Sequence, residues 1–362
     1  MPGLIHRRRF LCTVSALLYG ALSPGTSASP AAESPALESA PHIALLLPLS
    51  SGPFVMHAGV VRDGFLAAAE AQGTSVLPLR IYAASDDADV IVAGYRQAVA
   101  SGARLVVGPL TRTAVSAIAA TKLIPVPTLA LNVPDEAGIP PERLYVLSLH
   151  VESEARLVAR LAYDEGARHV YTVAGTDALS TRMHESFIAE FKRLGGTHAD
   201  AQIYGGDRES LERWRTGIAA SSADAVFLAL DAERGRAVRP YLGNLPVYAT
   251  SQIYPGPRAD LASFELAGVR FVGMPWLLQS DHAAVMIYPR PPYGGDLDLQ
   301  RLYALGIDAF RIAQALAAGH TQITLDGVTG QLTLARDHHF RRGLPVAQFI
   351  DGNVTVVGQI GP

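Results

Sequence analysis

The chain has 362 residues, of which 49% are apolar and 17% are charged, and its formal net charge is −3. This length exceeds that of an average domain, so we expect two lobes. A net charge so close to zero argues against a nucleic-acid-binding protein, which would show a basic stripe. The composition therefore predicts a globular protein whose partner is not a nucleic acid.

The first thirty residues have the organisation of an export signal. Three arginines at 7–9 precede an apolar run over residues 10–22, and small residues follow as far as Ala28. This order is typical of a cleavable signal peptide, and the run is too short to cross a bilayer stably. The letters RRRFL also resemble a twin-arginine signal, so both export routes stay open. We predict a signal peptide over 1–28, a flexible linker over 29–41 and a periplasmic location.

Apolar runs and amphipathic stretches alternate from His42 to Leu149. A continuous apolar run such as residues 43–49 is expected of a parallel strand that is covered on both faces. The stretches between the runs place apolar residues at helical spacing. This part of the sequence predicts strands over 43–49, 77–82, 105–108 and 125–131, and helices over 58–71, 87–100 and 114–120.

A second series of the same kind begins after Leu149. It predicts helices over 152–165, 179–194 and 209–220, and strands over 169–174, 201–204, 225–230 and 246–249. A long helix over 299–317, a turn and strand over 326–334 and a hairpin over 348–354 follow.

Two such series in one chain predict an α/β fold of two doubly wound parallel-sheet lobes with a cleft between them. We assign residues 42–149 and 253–322 to lobe 1, and residues 150–252 and 323–362 to lobe 2. Hinge closure is the motion that this architecture permits.

Several motifs, in this order and spacing, resemble known proteins. The opening segment at 43–64 reads IALLLPLSSGPFVMHAGVVRDG and, with VVGPL at 106–110 and DGVTG at 326–330, it resembles the type I periplasmic binding protein superfamily. Further motifs resemble the penicillin-binding-protein activator family (LpoA/LppC type); they are LLLPLS at 45–50, RDGF at 62–65, TLALN at 128–132, RLYALGIDAFRIA at 301–313, DGVTGQLTL at 326–334 and LPVAQF at 344–349.

The resemblance implies the type I periplasmic-binding-protein fold and a non-catalytic, periplasmic role. On this reading the chain activates a bifunctional peptidoglycan synthase, a penicillin-binding protein, by protein–protein contact. The alternative is a solute receptor that delivers an amino acid or similar small polar ligand to an ABC permease.

The chain departs from the family pattern at its cysteine. Members of the family are typically outer-membrane lipoproteins, and their lipid-accepting cysteine follows the apolar run of the signal. Cys12, the only cysteine, precedes most of that run, which argues against lipid anchoring. We also expect no disulfide and no cysteine ligand in the mature chain.

Ligands of open α/β sheets bind beyond the carboxyl ends of the strands, so the loops there supply the candidate binding residues. Hydroxyls and loop amides would take a carboxylate, and Asp177 or Asp231 would take an ammonium group. Alternatively, Asp177, Ser180 and Asp231 only cap helices, and the cleft is a vestigial one kept for its shape. The candidates are Ser50, Ser51, Gly52, Pro109, Leu110, Thr111 and Asn132 in lobe 1, and Thr176, Asp177, Ser180, Asp231 and Gln252 in lobe 2.

Enzyme signatures are absent from the sequence. It contains no Gly-x-Ser-x-Gly elbow, no phosphate loop with Gly-Lys-Ser/Thr and no Gly-x-Gly-x-x-Gly fingerprint. His338 and His339 are adjacent, and neighbours on a strand point to opposite faces, so they make a poor metal pair. We therefore expect no catalytic residue, no metal and no cofactor.

Overall fold

The computed structural model describes residues 40–121, 123–135, 138–206, 208–257 and 260–362. The predicted signal peptide and residues 29–39 of the predicted linker lie outside the described residues. Within the described ranges, no helix combines the length and the apolar character needed to cross a membrane.

The first series of strands and helices forms a five-stranded parallel sheet. The strand order is second, first, third, fourth, fifth along the chain. The last strand was not predicted, and it adds an edge of three residues. The elements are β1 (His42–Leu47), α1 (Val55–Gln72), β2 (Leu79–Ala83), α2 (Ala88–Ala100), β3 (Ala103–Val107), α3 (Arg112–Ala120), β4 (Thr128–Ala130) and β5 (Leu144–Val146).

The second series builds five parallel strands in the same relative order. Two sheets with one winding pattern confirm the predicted doubly wound α/β class. The elements are α4 (Val151–Asp164), β6 (His169–Gly175), α5 (Ala178–Arg193), β7 (Thr197–Tyr204), α6 (Arg208–Ala220), β8 (Ala225–Ala229), α7 (Ala232–Val238), β9 (Val247–Ala249), α8 (Asp260–Glu265) and β10 (Val269–Val272).

The C-terminal part crosses between the two sheets. Strand β13 pairs antiparallel with β12 through residues 340–343, and with β10 and β14 through residues 344–350. It therefore belongs to both lobes. The remaining elements are α9 (Pro275–Leu278), α10 (Ala283–Met286), α11 (Leu297–Ala317), β11 (Thr324–Gly327), β12 (Gly330–Leu334), β13 (Phe340–Ile350) and β14 (Asn353–Ile360).

The structure divides the chain differently from the predicted lobe boundaries. Residues 269–272 were assigned to lobe 1, but as β10 they pair with β9 in the second sheet. Val328 and Leu332 were assigned to lobe 2, yet their side chains pack in the core of the first sheet. Both differences arise because the C-terminal segments pass from one sheet to the other, which local sequence patterns do not reveal.

The strands read as continuous apolar runs because both of their faces are buried. In β1, Ile43 and Leu45 enter the core that α1 and α11 cover, whereas Ala44 and Leu46 enter the core that α2 and α3 cover. Successive side chains of a strand point to opposite faces, so a run without polar residues fills two cores.

Helices α1 and α11 cross at two glycines, each from a family-like motif. A Cβ atom at Gly64 would lie 2.0 Å from the Tyr303 carbonyl oxygen, and one at Gly306 would lie 2.1 Å from the Val61 carbonyl oxygen. Only hydrogen fits at these positions, so the glycines of RDGF and RLYALGIDAF let the two helices approach closely.

Asp308 joins α11 to the DGVTG turn. Its carboxylate is fully buried and accepts hydrogen bonds from the Val328 backbone N–H at 3.0 Å and the Thr329 backbone N–H at 2.8 Å. The Thr329 hydroxyl donates a third bond at 2.6 Å. A buried turn with free amide groups needs such an acceptor, so this aspartate fixes the segment that leads into β12.

Candidate functional site

A cavity of about 380 Å³ lies between the two lobes, and we call it the cleft. Its walls come from the loops after β3 and β4, the crossing into α4, the start of α5 and the first turns of α11. This is the carboxyl edge of the parallel strands, where ligands of doubly wound folds bind. Its lining includes Leu110, Arg112, Leu131, Asn132, Leu149, His150, Glu152, Leu179, Arg182, Gln252, Asp298, Arg301, Leu302 and Leu305.

Three of the twelve predicted site residues line the cleft. Leu110 presents an apolar side chain there. The Asn132 side-chain amide donates to the Leu110 carbonyl oxygen at 3.1 Å and accepts from the Val133 N–H at 2.9 Å. Gln252 lies at the second-lobe wall. These two bonds hold the Asn132 amide in place, whereas the side-chain amide of Gln252 makes no hydrogen bond to another described residue.

The loop after β3 turns sharply at Gly108. This glycine has a φ of +110°, and a Cβ atom there would lie 2.0 Å from the Leu46 carbonyl oxygen. The turn leads through Pro109 to Thr111, which is buried and caps α3 by accepting from the Ala114 N–H. The Thr111 hydroxyl also donates to Asp86. Pro109 and Thr111 therefore shape the wall and do not line the cavity.

The loop after β1 stays outside the cleft. Ser50, Ser51 and Gly52 are exposed and none of them lines the cavity. The loop is fixed by its backbone, since the Ser50 N–H donates to the Ala84 carbonyl oxygen at 2.9 Å. The strand end is where the sequence placed it, but the loop does not turn toward the second lobe.

The two acidic candidates of the second lobe, Asp177 and Asp231, form ion pairs with an arginine. Asp177 caps α5 and Asp231 caps α7, as the capping alternative stated. Arg234 forms an ion pair with both carboxylates, at 2.8 Å for Asp231. Ser180 is buried and donates to Asp177 at 2.9 Å, and Thr176 is exposed beside it. An ammonium ligand would have to displace Arg234.

The electrostatics of Asp177 agree with this arrangement. Burial by itself raises the pKa of the Asp177 carboxyl, but the hydrogen bonds from Ser180 and Arg234 outweigh it and hold the pKa well below its usual range. Asp177 is therefore a charged structural cap at neutral pH.

The cleft contains charged pairs that the sequence did not single out. Glu152 lies 3.4 Å from Arg182, and Asp298 lies 2.7 Å from Arg301. Arg301 also donates to the Ser251 carbonyl oxygen at 3.1 Å. One polar atom of each pair, Glu152 Oε2 and Arg301 Nε, is buried without a hydrogen-bond partner. Arg301 is the first residue of the RLYALGIDAF motif, and that motif was the one sequence feature that pointed to these charged pairs.

Behind the cleft, a buried ion pair joins the lobes. Glu154 of α4 and Arg342 of β13 lie 3.6 Å apart, and both are more than nine-tenths buried. Glu154 also accepts from the Ser251 N–H at 3.2 Å. Burial lowers the pKa of the Arg342 guanidinium, and the Glu154 charge opposes this shift. Breaking such a pair leaves an uncompensated buried charge, so it fixes the junction.

The cleft therefore offers six leucines and internally paired charges. Among the described residues, no group of three or more metal-type side chains converges anywhere in the chain. The leucines are Leu110, Leu131, Leu149, Leu179, Leu302 and Leu305.

Two doubly wound sheets around such a cleft define the fold as that of the type I periplasmic binding proteins. Full-length LpoA from Haemophilus influenzae is similar with a TM-score of 0.74 and 24% identity, over 87% of this chain and 58% of that one. A putative branched-chain amino acid ABC transporter from Chromobacterium violaceum is similar with a TM-score of 0.73 and 40% identity, over 85% of this chain and 99% of that one.

The family model described as LppC putative lipoprotein matches residues 36–352. The chain belongs to the LppC family, as its motifs predicted. The penicillin-binding protein activator LpoA of Pantoea ananatis is 26% identical over 306 residues, which are 72% of this chain and 45% of that protein. LpoA of Photobacterium profundum is 23% identical over 349 residues, 87% of this chain and 56% of that protein. The chain thus spans about half the length of these curated relatives.

Proposed function

We propose that this chain is a non-catalytic activator of a bifunctional peptidoglycan synthase and that it works by protein–protein contact. The family match over residues 36–352 carries the proposal, because curated relatives found with it are named penicillin-binding protein activators. Contact alone can activate an enzyme if the contacting surface binds the active conformation more tightly than the inactive one.

The chemistry of the cleft supports a role without small-molecule turnover. Asp177 and Asp231 both form ion pairs with Arg234, and the Glu152 and Asp298 carboxylates pair with Arg182 and Arg301. An amino-acid receptor needs charged groups that are free to meet the ligand's ammonium and carboxylate. Paired charges leave few such groups free, whereas the Arg301–Ser251 hydrogen bond and the Glu154–Arg342 pair join the two lobes.

The proposed place of action is the periplasm. The arginines at 7–9 and the apolar run over 10–22 support export, followed by cleavage near Ala28.

The test is a reconstituted synthesis assay with purified residues 29–362 and a bifunctional synthase supplied with lipid-linked precursor. We expect the rate of glycan polymerisation or of peptide cross-linking to rise and to saturate as the chain is added. A solute receptor of the same fold serves as the control and should leave both rates unchanged. Absence of binding in a pull-down together with unchanged rates would contradict the proposal.

A solute receptor for an ABC permease is the second candidate. The Chromobacterium violaceum protein described as a putative branched-chain amino acid ABC transporter favours it, since 40% of aligned residues are identical and 99% of that chain is covered. A ligand at a hundredfold excess over its Kd stabilises the native state by about 2.7 kcal/mol. A dose-dependent rise of Tm with one amino acid, combined with no stimulation of the synthase, would favour the receptor.

A further inference from the structure

Two cavities of about 280 Å³ each adjoin at the junction of the lobes, and together we call them the hinge pocket. They share His150, Arg156, His339 and Arg341 as lining residues. The crossing before α4 and the crossing before β13 lie side by side here, because Val146 pairs with His339. The hinge pocket is therefore built from both lobes.

Cations outnumber carboxylates around the hinge pocket. Three of the arginines have an acidic partner: Arg112 pairs with Asp135, Arg341 with Asp337, and Arg342 with Glu154, which lies outside the lining. Glu190, the third lining carboxylate, is held in two bonds by Arg193. The lining contains five arginines and three carboxylate side chains, namely Arg112, Arg156, Arg160, Arg341 and Arg342, and Asp135, Glu190 and Asp337.

One of these arginines keeps its donors free of any carboxylate. Arg156 is half-buried, donates to the Ser153 hydroxyl at 3.2 Å and has no carboxylate within ion-pair distance in the described part of the chain. Arg342 is 6% exposed, and its Nη2 lies 3.6 Å from Glu154. Arg160 donates to backbone oxygens of Gly361 and Pro362 at 3.3 Å. A half-buried guanidinium without a carboxylate partner favours an acceptor from a ligand.

The pKa of His150 is consistent with this excess of positive charge. Burial, and after it the positive charges of Arg156, Arg342, His339 and Arg112, together lower the pKa of its imidazole to about 3. His150 is therefore neutral at pH 7. Its Nδ1 is within hydrogen-bond distance of the Ser148 and Ser153 hydroxyls, at 3.2 Å and 3.0 Å.

We infer that the hinge pocket binds a multiply charged oxyanion, held by Arg156 and Arg341. Guanidinium forks match the oxygen geometry of phosphate and carboxylate groups and bind them by charge-assisted hydrogen bonds. A ligand with two or more negative charges would accept from Arg156 and Arg341 together, the two arginines that line both cavities. This site is distinct from the predicted cleft residues and does not depend on the proposed activation of a synthase.

The test is calorimetric titration of residues 29–362 with diphosphate and with citrate at constant ionic strength, and with acetate as the singly charged control. We expect diphosphate or citrate to bind with one site per chain and acetate not to bind. Arg156→Gln and Arg341→Gln should each weaken the binding at least about tenfold, since each removes charge-assisted hydrogen bonds.

Arg104→Gln is the matched control. Arg104 is exposed on β3, at the end of the first sheet away from the strand ends that lead to the hinge pocket, so its loss should change the affinity by less than about twofold. Melting curves without ligand identify any variant that does not fold, and the exposed Arg341 keeps the test available if Arg156→Gln fails. Failure of both anions to bind, or equal binding by wild type and both variants, would overturn the inference.

Discussion

Helix α1 carries two glycines whose replacement by alanine should change stability in opposite directions. A Cβ atom at Gly64 would lie 2.0 Å from the Tyr303 carbonyl oxygen, whereas ordinary contact begins at 3.4 Å. Helices α1 and α11 would have to separate by more than about 1 Å. Overpacking of this kind costs about 1–3 kcal/mol and occasionally more, and helix propensity returns about 1 kcal/mol. A 2.0 Å approach to backbone belongs at the upper end of that range, so we expect Gly64→Ala to lower the free energy of unfolding by about 2 kcal/mol.

Gly59, one and a half turns earlier on α1, provides the matched comparison. The nearest atom to a Cβ there is Arg62 Nη2 at 4.0 Å, so nothing must move. Only the helix-propensity gain remains, and Gly59→Ala should raise the free energy of unfolding by about 1 kcal/mol.

Urea unfolding followed by tryptophan fluorescence measures both effects lobe by lobe. Trp276 lies in the core that α1 and α11 share, and Trp214 lies in a core of the second sheet. The Gly64→Ala shift should appear at Trp276 in a Trp214→Phe background. A Gly64→Ala midpoint equal to or higher than that of wild type would refute the packing argument.

The remaining predictions concern buried and capping charges. Asp308→Ala leaves two amides and a hydroxyl of the DGVTG turn without an acceptor, so urea unfolding should show a loss of about 3–5 kcal/mol; Asp326→Ala, with 68% of its side chain exposed, should cost under about 1 kcal/mol. Asp177→Ala removes the α5 cap and should cost about 1 kcal/mol at pH 7. Because the folded pKa of Asp177 is depressed, the difference from wild type should shrink as pH falls below about 4 in unfolding curves. His150, with a folded pKa of about 3, binds its proton mainly when unfolded, so stability rises with pH from about 3 to 6.5. His150→Gln should reduce the slope of unfolding free energy against pH between 4 and 6 by up to about 1.4 kcal/mol per pH unit.

The sequence predicted the elements whose local pattern is strong. Runs such as β1 and β8 are apolar throughout, and long helices such as α11 keep helical spacing over many turns. Strands β5 and β10, with three and four residues, were not predicted. A strand of three or four residues offers little period to detect, and these two lie at the far edge of their parallel series, where pairing with β4 and β9 completes them.

The site was harder to predict because long-range pairing decides which side chains are free. Asp177 and Arg234 are 57 positions apart, and Glu154 and Arg342 are 188 apart. The rule that ligands bind at the carboxyl ends of strands identified the correct edge of the sheet. Three residues chosen by it, Leu110, Asn132 and Gln252, do line the cleft. The same rule could not show that Arg234 forms ion pairs with Asp177 and Asp231. A helix-capping aspartate and a ligand-binding aspartate look alike in the sequence.

The central claim is that contact with this chain speeds a bifunctional synthase. The most direct measurement is the initial rate of glycan polymerisation and of peptide cross-linking by the purified synthase as residues 29–362 are titrated in. The proposal predicts a saturable rise in at least one rate, at concentrations that match the Kd of the complex measured separately. Saturable binding of a free amino acid with unchanged rates at every concentration would contradict it.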